Sequence, residues 1–156
     1  MIKKTLFVLG LILQANVSYS QDIILTNDDI ISKEESVQFA LIEEVPIFPG
    51  CEDVENDKRM KCFQLKMTEH IKKNFTYPRK AMRKNIKGKI VAMFIINKEG
   101  AIEKITARTL SACDDCEILE REAIRIISKL PKMTPGKQKG KPVKVKYSQP
   151  FSFKLQ

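Results

Sequence analysis

Residues 88–109 read GKIVAMFIINKEGAIEKITART, and this stretch decides the fold. Its first nine residues are rich in valine, isoleucine and phenylalanine, and a second run, AIEKITART, follows the turn residues Asn97-Lys98-Glu99-Gly100. Two strand-forming runs joined by a short segment that ends in glycine are typical of a β-hairpin. The sequence therefore predicts two antiparallel strands here.

The segments on either side of the hairpin carry helical patterns. Apolar side chains with helical spacing follow it at Leu119, Ala123, Ile126, Ile127 and Leu130. They predict a helix over residues 116–130 whose apolar face covers the hairpin. Before the hairpin, an apolar residue recurs every four positions, at Phe63, Met67, Ile71 and Phe75. This stripe predicts a helix over residues 63–74, and Pro78 favours a short further helix over residues 78–85.

The C-terminal segment shows the clearest alternation. Apolar residues alternate with polar ones at period two: Val143, Val145, Tyr147, Phe151, Phe153 and Leu155 against Lys144, Lys146, Ser148, Ser152 and Lys154. Because Pro150 cannot donate a hydrogen bond to a neighbouring strand, this strand is predicted to lie at an edge of the sheet or to contain a bulge. An open edge can accept a partner strand, but lysines and proline at an edge are equally typical of protection against aggregation.

Together these elements predict an α+β domain over residues 43–156, in which two main helices pack on a three-stranded antiparallel sheet. The chain of 156 residues is 43% hydrophobic and 30% charged, which is typical of one globular domain and excludes fibrous classes. It has no tryptophan and one histidine, His70, so a catalytic triad or a multi-histidine metal site has almost no residues to draw on. We predict no enzymatic activity, no cofactor and no metal site.

The first twenty residues, MIKKTLFVLGLILQANVSYS, have the pattern of a secretory signal peptide. Two lysines precede an apolar run over residues 6–13, and small residues stand at Ser18 and Ser20. Cleavage after Ser20 is predicted, with an uncleaved inner-membrane anchor as the alternative. In both cases the rest of the chain is exported.

Charge divides the remainder of the chain. Residues 21–57 carry eleven acidic side chains against one lysine, whereas the following residues are strongly basic and bring the whole chain to a net charge of +9. Residues 21–42 are predicted to form a flexible acidic leader, since they lack proline, glycine and a clear hydrophobic period. The basic surface is either simply solvated or binds an acidic partner. Nucleic acid is not expected as a partner, because an exported chain without an RNA-binding motif rarely meets it.

The predicted export also bears on the four cysteines, because thiols tend to form disulfides in an oxidising compartment. Proximity in sequence favours disulfides between Cys51 and Cys62 and between Cys113 and Cys116. A zinc site built from all four is the alternative. The Cys-Asp-Asp-Cys sequence at 113–116 also leaves open a thiol-redox role, although its two aspartates disfavour a reactive thiolate.

The order and spacing of these elements resemble the C-terminal domain of the TonB family. The resemblance rests on six segments: FPGCE at 48–52, CF at 62–63, NFTYPRKA at 74–81, IKGKIVAMFIINKEGAI at 86–102, LEREAIRIISKLPKMTPGKQKGKPV at 119–143 and YSQPFSFKL at 147–155. It implies a periplasmic domain that binds the N-terminal box of outer-membrane receptors by adding a strand, within transport driven by the proton-motive force. In strand addition the backbone supplies affinity and alternate side chains supply selectivity.

The resemblance also implies which residues contact the receptor. The predicted edge strand contributes Val143, Lys144, Val145, Lys146, Tyr147, Ser148, Gln149, Phe151, Ser152 and Phe153. The stretch around Tyr-Pro contributes Asn74, Phe75, Thr76, Tyr77 and Pro78.

The N-terminal region departs from the family pattern, which has an uncleaved anchor and a long proline-rich spacer. This chain has a signal-like start and a short leader, so coupling to an inner-membrane proton-driven motor complex stays open. The alternative function is a soluble periplasmic adaptor or structural protein whose basic surface binds an anionic envelope component. A homodimer formed by exchange of the edge strand is a further open alternative.

Overall fold

The computed structural model describes residues 36–110 and 113–155 of the chain. In this part of the chain the strands are β1 (Ser36–Gln38), β2 (Gly88–Ile96), β3 (Ile102–Thr109), β4 (Lys137–Gln138), β5 (Lys141–Pro142) and β6 (Lys144–Phe153). The α-helices are α1 (Asn56–Asn74), α2 (Arg79–Arg83) and α3 (Glu117–Ser128), and a 3-10 turn spans Phe39–Leu41. The predicted signal peptide and residues 21–35 of the predicted leader lie outside the described residues. The prediction of a flexible leader is wrong over residues 36–42, because these form β1, the 3-10 turn and the buried Ile42.

The predicted hairpin is confirmed as β2 and β3, which pair in antiparallel register from Ile90 opposite Thr109 to Ile96 opposite Ile102. The Asn97 side chain closes the turn, because its Oδ1 accepts the backbone N–H groups of Glu99 and Ala101 at 3.0 and 2.9 Å. Gly100 has a φ of +82°, and an added Cβ there would lie 1.6 Å from the carbonyl oxygen of Met133. Glycine is therefore required at this position.

The main sheet has four strands in the order β1-β6-β2-β3, not the three that the sequence predicts. β6 pairs in antiparallel register with β2 along nine residues, and β1 pairs in parallel register with Lys144–Lys146 on its other side. The prediction that the last strand lies wholly at an edge is therefore wrong over these three residues. Val143, which the sequence places in the last strand, lies just before it, and its N–H donates to the carbonyl of Gly136 at 3.0 Å.

The core lies between one face of this sheet and the helices α1 and α3. Phe63 and Met67 of α1 and Leu119, Ile126 and Ile127 of α3 are almost completely buried against the inward side chains of β2 and β6. The predicted helix over 116–130 is confirmed as α3. α1 begins at Asn56, seven residues before the predicted start, because the sequence NDKRMKC carries no apolar stripe that would reveal its first turns.

Two disulfides form with the predicted pairing, Cys51 with Cys62 and Cys113 with Cys116. The alternative zinc site is therefore wrong, since all four sulfurs are engaged. Across the described ranges, no helix is long and apolar enough to cross a membrane. No cluster of three or more potential metal-binding side chains occurs in them either.

Candidate functional site: the open edge of strand β6

The part of β6 that follows Lys146 forms an open sheet edge. Among the described residues, β2 is the strand that pairs with Tyr147–Phe153, and β1 ends before this stretch begins. Apart from Pro150, which has no N–H and whose carbonyl accepts the Nε2–H of Gln149 at 2.9 Å, the N–H and C=O groups that point away from β2 can pair with the backbone of another strand. Within the predicted contact strand, the structure thus separates a covered part, Lys144–Lys146, from an open part, Tyr147–Phe153.

A groove of about 470 Å³ runs beside the open edge, between β6 and the end of α1. Its walls come from Thr68, Ile71, Lys72 and Phe75 on one side and from Gln149, Pro150, Phe151 and Ser152 on the other. Phe75 is 39% exposed, which is unusual for a phenylalanine held in an ordered aromatic cluster. Within the described part of the chain, the lining contains one cation and no carboxylate, so the groove suits an apolar side chain that has an acidic neighbour.

The structure brings the two predicted contact regions together at one end of this groove. The ring centroid of Phe75 lies 5.3 Å from that of Phe153, and Tyr77 lies 5.8 Å from Phe153 in an edge-to-face arrangement. The Tyr77 hydroxyl donates to the carbonyl of Ile86 at 2.6 Å, which fixes the ring. Burial raises the pKa of this hydroxyl above its ordinary value, so it stays protonated at neutral pH. Pro78 directly precedes α2 and ends the contact stretch.

A buried carboxylate on α3 holds the backbone of the contact stretch in place. Glu122, 8% exposed, accepts the backbone N–H of Thr76 at 3.0 Å and the Nε–H of Arg125 at 2.7 Å. Arg125 donates in turn to the carbonyl of Asn74 at 2.6 Å. These bonds satisfy backbone groups that the end of α1 would otherwise leave unpaired, and they fix Phe75 between two anchored residues.

Replacing Glu122 with alanine is expected to lower the free energy of unfolding by about 2 kcal/mol, because the N–H of Thr76 loses its acceptor and Arg125 loses its partner. Glu122→Gln keeps an oxygen for Thr76 and is expected to cost roughly half as much. Urea unfolding measures both effects, and the Thr76 amide resonance reports the local change. The exposed Glu99 serves as control, since Glu99→Ala should stay within about 0.5 kcal/mol. Equal losses in the two alanine variants would contradict the positioning role.

The sequence did not predict the groove walls on α1 or the Glu122–Arg125 pair. Glu122 lies beside Ala123 and between Leu119 and Ile126, so an acidic residue next to the apolar face of α3 was the available signal. Thr68, Ile71 and Lys72 gave none, because they become neighbours of β6 through tertiary packing alone. His70, to which the sequence assigns no chemistry, bridges the helices: its Nε2 lies 2.9 Å from the carbonyl oxygen of Ile126.

A second cleft of about 640 Å³ lies next to the Cys113–Cys116 disulfide. Cys116 is 3% exposed, so the sulfur at the start of α3 is shielded from solvent. A hydrogen bond from Lys84 holds the pKa of the Asp115 carboxyl below its usual value, and that carboxylate is therefore paired and ionised at neutral pH. The described residues that line this cleft include no hydroxyl, free thiol or histidine that could act as a nucleophile or base, so the edge of β6 is the stronger candidate site.

Comparison with known proteins settles the family. The family model described as the C-terminal domain of the Gram-negative bacterial TonB protein matches residues 73–155, which is more than half of the chain. The chain belongs to the TonB C-terminal domain family. Domains of this family are non-enzymatic interaction domains of the periplasm, and they contact outer-membrane receptors in general. The predicted absence of enzymatic activity agrees with this.

Two solved structures of the TonB C-terminal domain of Helicobacter pylori, both determined by NMR in solution, are similar to this chain. The one spanning residues 179–285 is 23% identical, with a TM-score of 0.46, and covers 67% of this chain and 87% of its own. The one spanning residues 194–285 is 22% identical, with a TM-score of 0.41, and covers 59% and 92%. A search of the curated proteins found no match.

The matched residues locate the family domain within this chain. They begin at Lys73, in the last turn of α1, and include the contact stretch, the hairpin, α3 and β6. β1, most of α1 and the Cys51–Cys62 disulfide lie before them. These N-terminal elements therefore lie outside the stretch that the family model matches.

Proposed function

We propose that this protein binds the N-terminal box of an outer-membrane receptor as an added strand on the open edge of β6, along Tyr147–Phe153. The observation that carries the proposal is the coincidence of an unpaired strand edge with an apolar groove at the place where both predicted contact regions meet. Family membership supports it, because interaction with outer-membrane receptors is general in this family.

The groove supplies the selectivity that a strand edge alone lacks. Backbone hydrogen bonds along β6 are the same for every extended peptide, whereas side chains on alternate positions of the peptide reach the groove. Phe75, Ile71 and Phe151 offer apolar contact there, and Lys72 provides a positive charge at its rim. An extended segment with an apolar residue next to an acidic one fits these walls best.

The same proposal places the protein in transport driven by the proton-motive force. An uncleaved segment 1–20 would allow direct engagement of an inner-membrane motor complex. Cleavage after Ser20 would instead make the protein a periplasmic binding module, and another anchored protein would then supply the energy.

The proposal is tested by titrating the ¹⁵N-labelled protein with peptides taken from the N-terminal segments of outer-membrane receptors of the source organism. Amide resonances of Tyr147–Phe153 and Phe75 should shift saturably, and those of β3 should not. Peptides of the same composition in scrambled order provide the matched control. Saturable shifts confined to other surfaces, or no saturation with any receptor segment, would refute strand addition at this edge.

Phe75→Ala is expected to weaken receptor-peptide binding about tenfold, because it removes the largest apolar wall of the groove. Isothermal titration calorimetry measures the affinity. Leu65 is the matched control, since it lies on α1, the helix that Phe75 directly follows, is 56% exposed and does not line the groove. Leu65→Ala should leave the affinity unchanged, and an equal loss in both variants would show that the groove does not contact the peptide.

The alternative function, binding of an anionic envelope component, is favoured by the outer face of the same sheet. The inward residues of β2 are buried, so Val91, Met93 and Ile95 point to the opposite face, where they are half-exposed. Arg108 lies opposite Val91, and Lys146 and Glu103 lie opposite Ile95 on its two sides, so two cations and one carboxylate border this apolar stripe. Salt-sensitive binding to phosphatidylglycerol vesicles, with no saturable receptor-peptide shifts, would favour this function over strand addition.

A further inference from the structure

β1 lies on the side of β6 that the proposed receptor strand would use. It pairs in parallel with Lys144–Lys146, immediately before the open part of the edge. We propose that β1 is a resident strand, which a receptor segment long enough to pair along the whole of β6 must displace. This inference rests on the strand-addition function proposed above.

The contacts of β1 allow it to leave while the following residues stay in place. Three residues of β1 are in register with β6, whereas β2 contributes nine. Few hydrogen bonds therefore hold β1, and a short outermost strand is among the parts of a fold that open most readily. The next residue, Phe39, is only 7% exposed, and its ring centroid lies 4.6 Å from that of Phe63. Gln38 is thus the point about which β1 swings away.

Several further contacts fix the chain that follows Phe39. Ile42 is buried, Glu44 forms a β-bridge with Lys137, and Ile47 forms one with Thr134. The Cys51–Cys62 disulfide then ties this segment to α1. Displacement of β1 therefore requires no unfolding beyond Gln38, which keeps its cost small and local.

The sequence of β1 indicates which partner segment replaces it. Val37 is half-buried against the core and lies opposite Val145, between two polar residues. A replacing strand runs parallel to β6 and presents a β-branched apolar side chain at this position. The neighbours of Ser36 and Gln38 on β6 are Lys144 and Lys146. Lys144 already pairs with Glu103 at 3.3 Å, so the position of Gln38, opposite Lys146, is the one at which an acidic residue would gain a cross-strand attraction that β1 does not have.

The position of β1 in the chain separates it from the stretch that the family model matches. β1 lies before residue 73, where the family match begins. The matched domain ends with β6, so the resident strand and the edge it covers come from different parts of the chain. A short or poorly matched strand therefore pairs with the open part of β6 alone. A matched long strand displaces β1 and pairs with the covered part as well.

The test compares two peptides on the wild-type protein and on Val37→Pro. One peptide is a receptor segment that binds in the titration above and is as long as β6, and the other lacks its first three residues. Proline at position 37 removes a backbone donor and so weakens the pairing of β1, and the affinity of the long peptide is expected to rise about tenfold, because the competent state is no longer a minor population. The affinity of the short peptide should not change. Val37→Thr keeps a strand-forming residue, and for it both affinities should stay within about twofold.

Hydrogen exchange gives a second measurement that needs no variant. In the wild-type protein, saturation with the long peptide should speed exchange of the β1 amides, while saturation with the short peptide should leave them unchanged. Persistent protection of β1 in the long-peptide complex would overturn the inference, as would equal affinity changes for the two peptides in Val37→Pro. Failure of both peptides to bind the wild-type protein would overturn strand addition itself, and the inference with it.

Discussion

Phe63→Ala is expected to lower the free energy of unfolding by about 3–5 kcal/mol, the largest loss that a single substitution should cause in this protein. Phe63 is completely buried, and its ring centroid lies 4.6 Å from Phe39, 5.1 Å from Tyr147 and 5.9 Å from Phe48. Truncation removes the transfer free energy of the ring. It also leaves a cavity that the surrounding residues cannot fill completely by relaxing inward. Urea unfolding followed by far-UV circular dichroism measures the loss.

Phe75→Ala is the matched control for this prediction, because it is the same substitution on the residue that ends the same helical stripe. Phe75 is 39% exposed and lines the groove, so less of its surface leaves water on folding, and the expected loss is about 1 kcal/mol. Since small domains are stable by only about 5–15 kcal/mol, the difference between the two variants is readily resolved. Similar losses would mean that the stripe is not divided into a core part and a surface part.

The aromatic cluster around Phe63 connects stability to the binding edge. Tyr147, the first residue of the open edge, packs on Phe63 and on Phe39, whose ring lies 4.8 Å from it. Burial raises the pKa of the Tyr147 hydroxyl above its ordinary value, so this residue enters the cluster as a neutral ring. The point where β1 ends and the open edge begins is therefore fixed from inside the core.

Local patterns predicted the central elements of the fold correctly. The hairpin, α3 and most of β6 carry a complete signal within their own residues, either a turn between two strand-forming runs or an apolar face with a fixed period. The first turns of α1 were missed because their side chains are mostly polar and face solvent. β1 was missed for a different reason: three residues are too few to establish a period, and their partners at 144–146 lie far away in the sequence.

The candidate site likewise has a part that the sequence predicts and a part that depends on tertiary packing. The strand residues 147–153 and the stretch 74–78 came from motif order and from the resemblance to a family, and the structure brings them together at Phe75 and Phe153. The groove between them depends on how α1 packs on β6, which no local pattern encodes. The limit of the open edge at Tyr147 depends on β1, so the sequence could indicate the binding strand but not which part of it is accessible.

Loss of the Cys51–Cys62 disulfide is the second large effect that we expect. The double variant Cys51→Ala/Cys62→Ala should lose about 3 kcal/mol of unfolding free energy, because the cross-link closes a loop with a sequence separation of 11 residues and thereby restricts the unfolded chain. Alanine fits the site, since Cys51 is only 1% exposed and a small apolar side chain leaves no polar group unpaired. Urea unfolding of the oxidised proteins measures the loss.

The Cys113–Cys116 pair is the internal control for loop length. Its separation of three residues closes a much shorter loop, so Cys113→Ala/Cys116→Ala should cost about 1 kcal/mol less than the first double variant. The two pairs also differ in what they hold. Cys51–Cys62 joins α1 to the segment that carries Phe39, so its removal should also speed hydrogen exchange at Phe39 and Ile42, whereas the other pair should leave these amides unchanged. A larger loss from Cys113–Cys116 would show that strain or packing, rather than restriction of the unfolded chain, decides the contribution of each bridge.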